Sequence, residues 1–280
     1  MRMMGIMKAV YITILTSLAL TGCGGGGGGS AVVKPTPASF ETTEYNAQYG
    51  LGKIKASEIY SDGYSGSGVT VAVLDTGVDL DHPDLIDNIA SGGYDYVDND
   101  SDANPNGQGD YMSHGTHVAG TIAGMKNETG MHGVAYGAKI LSLRNAISSG
   151  SVSSSATINA YSGAISKGAK VINNSYIFSS FSSAGGNKLL DARTNDIVQV
   201  WAAGNDSESN PRNYALAPNE SGYEDLADSL IAVVATDSTN TIAGYSNKCG
   251  VAKNWCMAAP GTSIYSTVDT TDNKYSENYA

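Results

Sequence analysis

The chain has 280 residues, with 34 glycines, 17 tyrosines and a charged fraction of 15%, a composition that fits one ordinary globular domain and excludes a disordered chain. Its formal net charge is −11, and no run of Lys or Arg offsets it locally. Such a surface repels phosphate backbones, so nucleic acid is excluded as a partner.

The N-terminus carries Arg2 and Lys8, then the apolar stretch "AVYITILTSLAL", then "LTGC". Charged, apolar and small residues in that order read as an export signal, and an apolar run of roughly a dozen residues is shorter than the ~20 that span a bilayer. Leu20-Thr21-Gly22-Cys23 resembles a bacterial lipobox. That resemblance implies a signal peptide over residues 1–22 and a lipidated Cys23, which anchors stably to a membrane if it carries more than one acyl chain. An ordinary signal peptide with an incidental cysteine is the alternative. Six glycines and Ser30 follow, then "AVVKPTPASF". Residues 23–43 thus read as a flexible tether passing into a Pro-containing spacer. One domain is expected over residues 44–280.

Within it, "GVTVAVLDTG", "AKILSLR", "AKVINNS", "DIVQVWAAGN" and "SLIAVVATD" are apolar, β-rich runs that read as buried strands. "HGTHVAGTIAG", "SATINAYSGAISKG" and the stretch around "GNKLLDART" precede the second, third and fourth of these and can be helical. This alternation predicts an α/β fold, a parallel sheet with helices on both faces. In such sheets chemistry gathers at the carboxyl ends of the strands. Asp75 closes the first strand, Asn174 and Ser175 the third, and Gly204 with Asn205 the fourth. Cys249 and Cys256 are close enough for a local disulfide, and free buried thiols are the alternative. Closing a loop of about eight residues stabilises by roughly 2.5 kcal/mol on a chain-entropy basis.

Three chemistries compete for His114 and His117 in "YMSHGTHVAGT". Two-histidine zinc hydrolases space their ligands at i and i+4 with a glutamate between. Here the spacing is three, the interior is Gly-Thr, and no third ligand stands nearby in sequence. Asp75-Thr76-Gly77 is also the signature of aspartic peptidases, which need two such aspartates sharing a proton, and the chain has one. The third reading pairs Asp75 with His114: a strand-end carboxylate accepts the Nδ1 proton and leaves Nε2 free to take a proton from a hydroxyl. The small residues Gly115, Thr116, Ala119 and Gly120 let the helix approach the sheet closely, and His117 is left as a structural residue.

"VAVLDTGVDLDHPDL", "HGTHVAGTIAG", "INNS" and "AAGN", in this order, resemble the subtilisin-like serine peptidases. The resemblance implies protein or peptide substrates, with Asp75 as the orienting acid, His114 as the base and Asn205 as the oxyanion donor. It also implies that Ser175, Ala202, Ala203 and Gly204 line the substrate pocket, where Ile177 replaces a common glycine and narrows the space. "AISSGSVSSS" is either an edge for an extended peptide substrate or a flexible Ser-rich loop. No cofactor is implied for the chemistry. A structural calcium is implied by Asp84 and Asn127, although the glutamine that helps in relatives is not at the matching place; the alternative is that Asp84 caps a helix and Asn127 turns a loop.

The family's nucleophile lies in Gly-Thr-Ser-x-Ala. Gly261-Thr262-Ser263 sits instead in a strand-and-loop position after "MAAP" and is not followed by small helical residues. The expectation is therefore a serine beyond Ala280 and a fold incomplete at the C-terminus. A catalytically dead, surface-displayed binding protein is the competing function. The tether, Cys23 and "SNKCGVAKNWCMAAP" further resemble autotransporter passengers of Gram-negative bacteria, which implies export to the outer membrane or cell surface.

Overall fold

A computed structural model describes residues 34–109, 111–269 and 274–277. The expected signal peptide, the glycine run and Cys23 lie outside the described residues, and one compact unit spans Pro35–Ala280. Pro37–Phe40 forms a 3-10 turn inside the stretch read as spacer, and the Phe40 ring lies 5.8 Å from that of Tyr60. Three short helices come next: α1 (Thr43–Ala47), α2 (Tyr49–Lys53) and α3 (Ala56–Ser61). None is legible as a periodic pattern, because five or six residues hold too few turns to show one and such helices depend on packing. Tyr45, Leu51, Ala56 and Tyr60 supply that packing as a small core of their own.

The main sheet is built from β1 (Thr70–Asp75), β2 (Tyr94–Asp95), β3 (Lys139–Arg144), β4 (Val171–Asn174), β5 (Val198–Ala202), β6 (Leu230–Thr236) and β7 (Cys256–Pro260). Their spatial order is β2-β3-β1-β4-β5-β6-β7, and every pairing is parallel. The chain leaves β1 toward β3 and then crosses back to build β4 to β7 on the other side. Asp75 therefore ends the strand at which the order reverses, where open parallel sheets place their sites.

Parallel strands buried on both faces send alternate side chains to opposite sides. Ala72 and Leu74 join a core with Ala160, Tyr161 and Ala164 of α5 (Ser154–Ser166) and Leu189 and Ala192 of α6 (Ser183–Thr194). Val71 and Val73 face the other way, onto Ala119 and Ala123 of α4 (His114–Ala123). Each fully buried Val or Leu contributes about 1.5–3 kcal/mol of transfer free energy, so both faces hold the sheet. The parallel sheet with helices on both faces is the fold anticipated from the sequence. A separate antiparallel pair, β8 (Ser266–Thr267) and β9 (Tyr275–Ser276), packs against α4. Among the described residues no helix is long and apolar enough to cross a membrane.

Candidate active site

The first turn of α4 is pressed against the end of β1. Its N-cap Ser113 makes no side-chain cap; the Ser113 hydroxyl donates to the Asp269 carbonyl instead, at 3.1 Å. The cap comes from Thr76, whose Oγ1 accepts the Gly115 N–H at 3.1 Å and donates to the Met112 carbonyl at 3.3 Å. A hydroxyl from the residue that follows β1 thus satisfies a helix donor that otherwise has no partner. Gly115 makes the approach sterically feasible: a Cβ there would sit 2.2 Å from the Gly77 carbonyl oxygen and 3.0 Å from Asp75 Cβ. Gly120, expected to serve the sheet contact, instead faces β8, where an added Cβ would lie 2.2 Å from Thr267 Oγ1.

This packing sets His114 Nδ1 at 2.7 Å from Asp75 Oδ1. Asp75 is 2% exposed, Oδ1 also accepts the Thr76 N–H at 2.7 Å, and Oδ2 is buried without a partner among the described residues. Burial by itself disfavours a charged imidazole at His114, but the Asp75 charge and hydrogen bond outweigh it and raise the pKa above 6.5. With Nδ1–H donated to the carboxylate, the tautomer leaves Nε2 as the acceptor. No hydroxyl among the described residues hydrogen-bonds that nitrogen. Ser263 is exposed, at a φ of +49°, and is not bonded to the histidine.

His117 is occupied differently. It is buried, and its Nε2 donates to the carbonyls of Ile264 at 2.8 Å and Ser276 at 3.1 Å. Burial lowers its pKa, so it is a neutral brace between α4 and the segments around β8 and β9. Among the described residues no cluster of three or more His, Cys, Asp or Glu is arranged to hold a metal.

His114 opens onto a cavity of about 290 Å³ that is also lined by Ser175, Ala202, Ala203, Gly204 and Asn205. The structure thus brings the sequence-derived pocket residues to one place, with exposed Asn205 on the turn after β5. Ile177 does not line this cavity. It borders a second one of about 330 Å³, with Asp75, His114, Tyr111 and the loop 149–152. Ile177 therefore does not narrow the cavity shared by Ser175 and Asn205, contrary to the expectation from the sequence. That loop is a small ribbon: Ala146 and Val152 form an antiparallel bridge, and the Ile147 N–H donates to the Ser151 carbonyl at 3.0 Å.

Asp84 and Asn127 also meet, with Asn127 Nδ2 3.1 Å from Asp84 Oδ1. Sequence reasoning missed their companion, Glu44 of α1, whose Oε1 accepts the N–H groups of Asn127 and Thr129 at 2.7 and 3.0 Å. Glu44 Oε2 is buried and unpartnered among the described residues. Burial, and then the charge of Glu44, raise the Asp84 pKa to about 7. The Asn127 amide turns its nitrogen to Asp84 and its Oδ1 accepts the Thr129 N–H at 3.0 Å, so the oxygen left over for an oxygen-preferring cation such as calcium is Glu44 Oε2, and Asn127 would have to reverse its amide to add a second. In sequence, Glu44 carries only the signal of an acidic first helical turn. Cys249 and Cys256 form a disulfide that closes onto β7.

The geometry has counterparts among known proteins. The pattern of the subtilase family matches residues 66–280. Subtilisin NAT of Bacillus subtilis subsp. natto is 40% identical over 220 residues, which cover 79% of this chain and 54% of that protein. Thermitase of Thermoactinomyces vulgaris is 39% identical over 229 residues, covering 80% of this chain and 73% of thermitase. The extracellular basic protease of Dichelobacter nodosus is 32% identical over 271 residues, 83% of this chain and 42% of its own length. The chain thus spans about half the length of subtilisin NAT. With its sheet, strand-end aspartate and helix-opening histidine in the matched region, the chain belongs to the subtilase family.

Proposed function

We propose that the protein is a serine endopeptidase that cleaves protein or peptide chains by acyl transfer. The observation that carries this reading is the 2.7 Å contact of His114 Nδ1 with buried Asp75, on the wall of a cavity shared with Asn205. His114 Nε2 removes the proton from a serine hydroxyl as its oxygen attacks the peptide carbonyl. Asp75 stabilises the imidazolium that forms, and the Asn205 amide donates to the carbonyl oxygen as it becomes negative. The imidazolium then protonates the departing amine, and water, activated by the same base, hydrolyses the acyl-enzyme. No serine among the described residues is assigned the nucleophile's role: Ser263 is exposed and not bonded to His114. Extended substrate lies beside the 146–152 ribbon, consistent with the cavity between that ribbon and His114.

Calcium takes no part in these steps. Glu44, Asp84 and Asn127 would hold it, and it would tie α1 to the loop around Asn127. Export through the N-terminal signal and anchoring through Cys23 complete the reading, with the peptidase displayed at the outer membrane or cell surface.

The test is covalent labelling of the full-length gene product by a fluorophosphonate. Labelling that disappears in His114→Ala supports the proposal. A folded full-length protein that neither labels nor cleaves casein, yet binds a host protein, supports the dead-scaffold alternative.

A further inference from the structure

Asn205 stands on an exposed turn and makes no side-chain hydrogen bond among the described residues, yet an oxyanion donor works only if its direction is fixed before charge develops. Arg212 pairs with Asp206 and Glu208 at the exposed side of the turn, at 3.0 and 2.7 Å, and Ser207 Oγ donates to the Gly244 carbonyl at 2.7 Å; from the buried side the turn is held by Asn247. Asn247 is fully buried, at 0% exposure. Its Nδ2 donates to the Ala203 carbonyl at 3.0 Å, and its Oδ1 accepts the N–H groups of Asp206 at 3.0 Å and Glu208 at 2.9 Å. Its backbone N–H donates to the Gly204 carbonyl at 2.9 Å. These bonds bracket Asn205, with two residues gripped before it and two after. Both lone pairs of the amide oxygen are used, and reversing the amide would set like groups against each other, so the orientation is determined.

The fit is close on the side of the turn as well. Gly204 has a φ of +109°, and a Cβ there would lie 2.6 Å from Asn247 Nδ2. Asn247 is in turn anchored to the sheet on both sides. The preceding Ser246 accepts the Ala235 N–H of β6 at 2.9 Å. Two residues later, Cys249 is bonded to Cys256, the first residue of β7. Chain entropy that would let the turn wander is removed by two strands and a covalent link.

We propose that Asn247 is the positioning residue of the oxyanion donor, holding Asn205 at the angle the transition state needs; this rests on the serine endopeptidase reading. Asn247 touches no reacting atom and acts through the turn alone. Its loss is therefore expected to lower kcat with KM unchanged, and to matter only while Asn205 is present.

The experiment is a double-mutant cycle in the full-length enzyme. Rates are taken per fluorophosphonate-titrated serine, well below the unfolding temperature, so that misfolded molecules are not counted. Asn205→Ala is expected to lower kcat by roughly 100 to 1,000-fold. Asn247→Ala is expected to lower kcat by about 10-fold or more with KM within about twofold, and by less than about twofold in the Asn205→Ala background. Asn247→Asp keeps the acceptor for both N–H groups but loses the donor to Ala203; it is expected to show the same dependence on Asn205 at smaller amplitude, and it carries the test if the alanine variant does not fold. Equal losses in both backgrounds would mean that Asn247 only supports the fold, which overturns the proposal and leaves the endopeptidase reading intact. A full-length enzyme in which Asn205→Ala alone costs nothing removes the oxyanion role itself, and the proposal with it.

Discussion

His114 combines two opposed influences. Burial disfavours its cation, while the Asp75 carboxylate 2.7 Å away favours it, and the net pKa is raised. In the proposed mechanism the catalytic form is the neutral base, so the rate is expected to rise with pH through this raised value rather than through the ordinary one near 6.5. Asp75→Asn removes the attracting charge, lowers the histidine pKa and makes more neutral imidazole at pH 7, yet the amide presents the wrong hydrogen-bonding partner to Nδ1. The variant is expected to lose about 10⁴-fold in kcat, as triads generally do when this carboxylate is neutralised; steady-state kinetics at fixed pH checks it. Asp75 and His114 are legible in the sequence because strand-end and helix-opening positions are marked by the runs beside them. Glu44 and Asn247 are not, because their meaning lies in backbone groups of residues distant in sequence, Asn127 and Thr129 for one and Ala203 to Glu208 for the other.

At the scale of elements, the site depends on how closely α4 meets β1. Gly115→Ala sets a methyl 2.2 Å from the Gly77 carbonyl oxygen, backbone that yields only if the helix moves. The expected cost is about 1–3 kcal/mol of stability, and a displacement near 1 Å costs about 100-fold in kcat. Gly52→Ala in α2 is the control: an added Cβ meets nothing within 4 Å, so thermal unfolding should be unchanged or about 0.5–1 kcal/mol more favourable to the fold. Cys249→Ser with Cys256→Ser should cost roughly 2.5 kcal/mol in denaturant unfolding; an unchanged midpoint would show that the loop is held by its hydrogen bonds alone. The buried strands β1, β3, β4, β5 and β6 are readable as apolar runs. β2 is two residues long, and β7 contains Met257 at 53% exposure, so neither carries the pattern of a strand buried on both faces. The helices before β1 escape such a reading because their stability comes from the Tyr45, Leu51, Ala56 and Tyr60 cluster, not from periodicity.

For the whole molecule, the proposed calcium site rests on a net charge of −11 and two buried carboxylates at Glu44 and Asp84, and it predicts a stability that depends on the cation. At a hundredfold excess over its dissociation constant, a ligand specific to the folded state stabilises by about 2.7 kcal/mol, or roughly 5–10 °C in a domain of this size. Calorimetry with calcium and with chelator should show that rise, and Asp84→Asn should abolish it; equal midpoints in the unaltered protein would remove the cation from the reading. The proposed anchoring through Cys23 predicts that Cys23→Ser moves the protein from the membrane fraction to the soluble one, and an unchanged distribution would remove the anchor from the reading. The order of strands is not written in any single run. It depends on which neighbour completes each face, and it brings Asp75, His114 and Asn205 to one edge of the sheet.

The pairing of Asp75 with His114 as a catalytic base is tested most directly by the pH dependence of fluorophosphonate inactivation of the full-length enzyme, compared with that of Asp75→Asn. The inactivation rate should rise through a single titration above the ordinary histidine pKa of ~6.5 and shift downward when Asp75 is neutralised. A rate that stays flat between pH 5 and 9, or an inflection that does not move in Asp75→Asn, would contradict it.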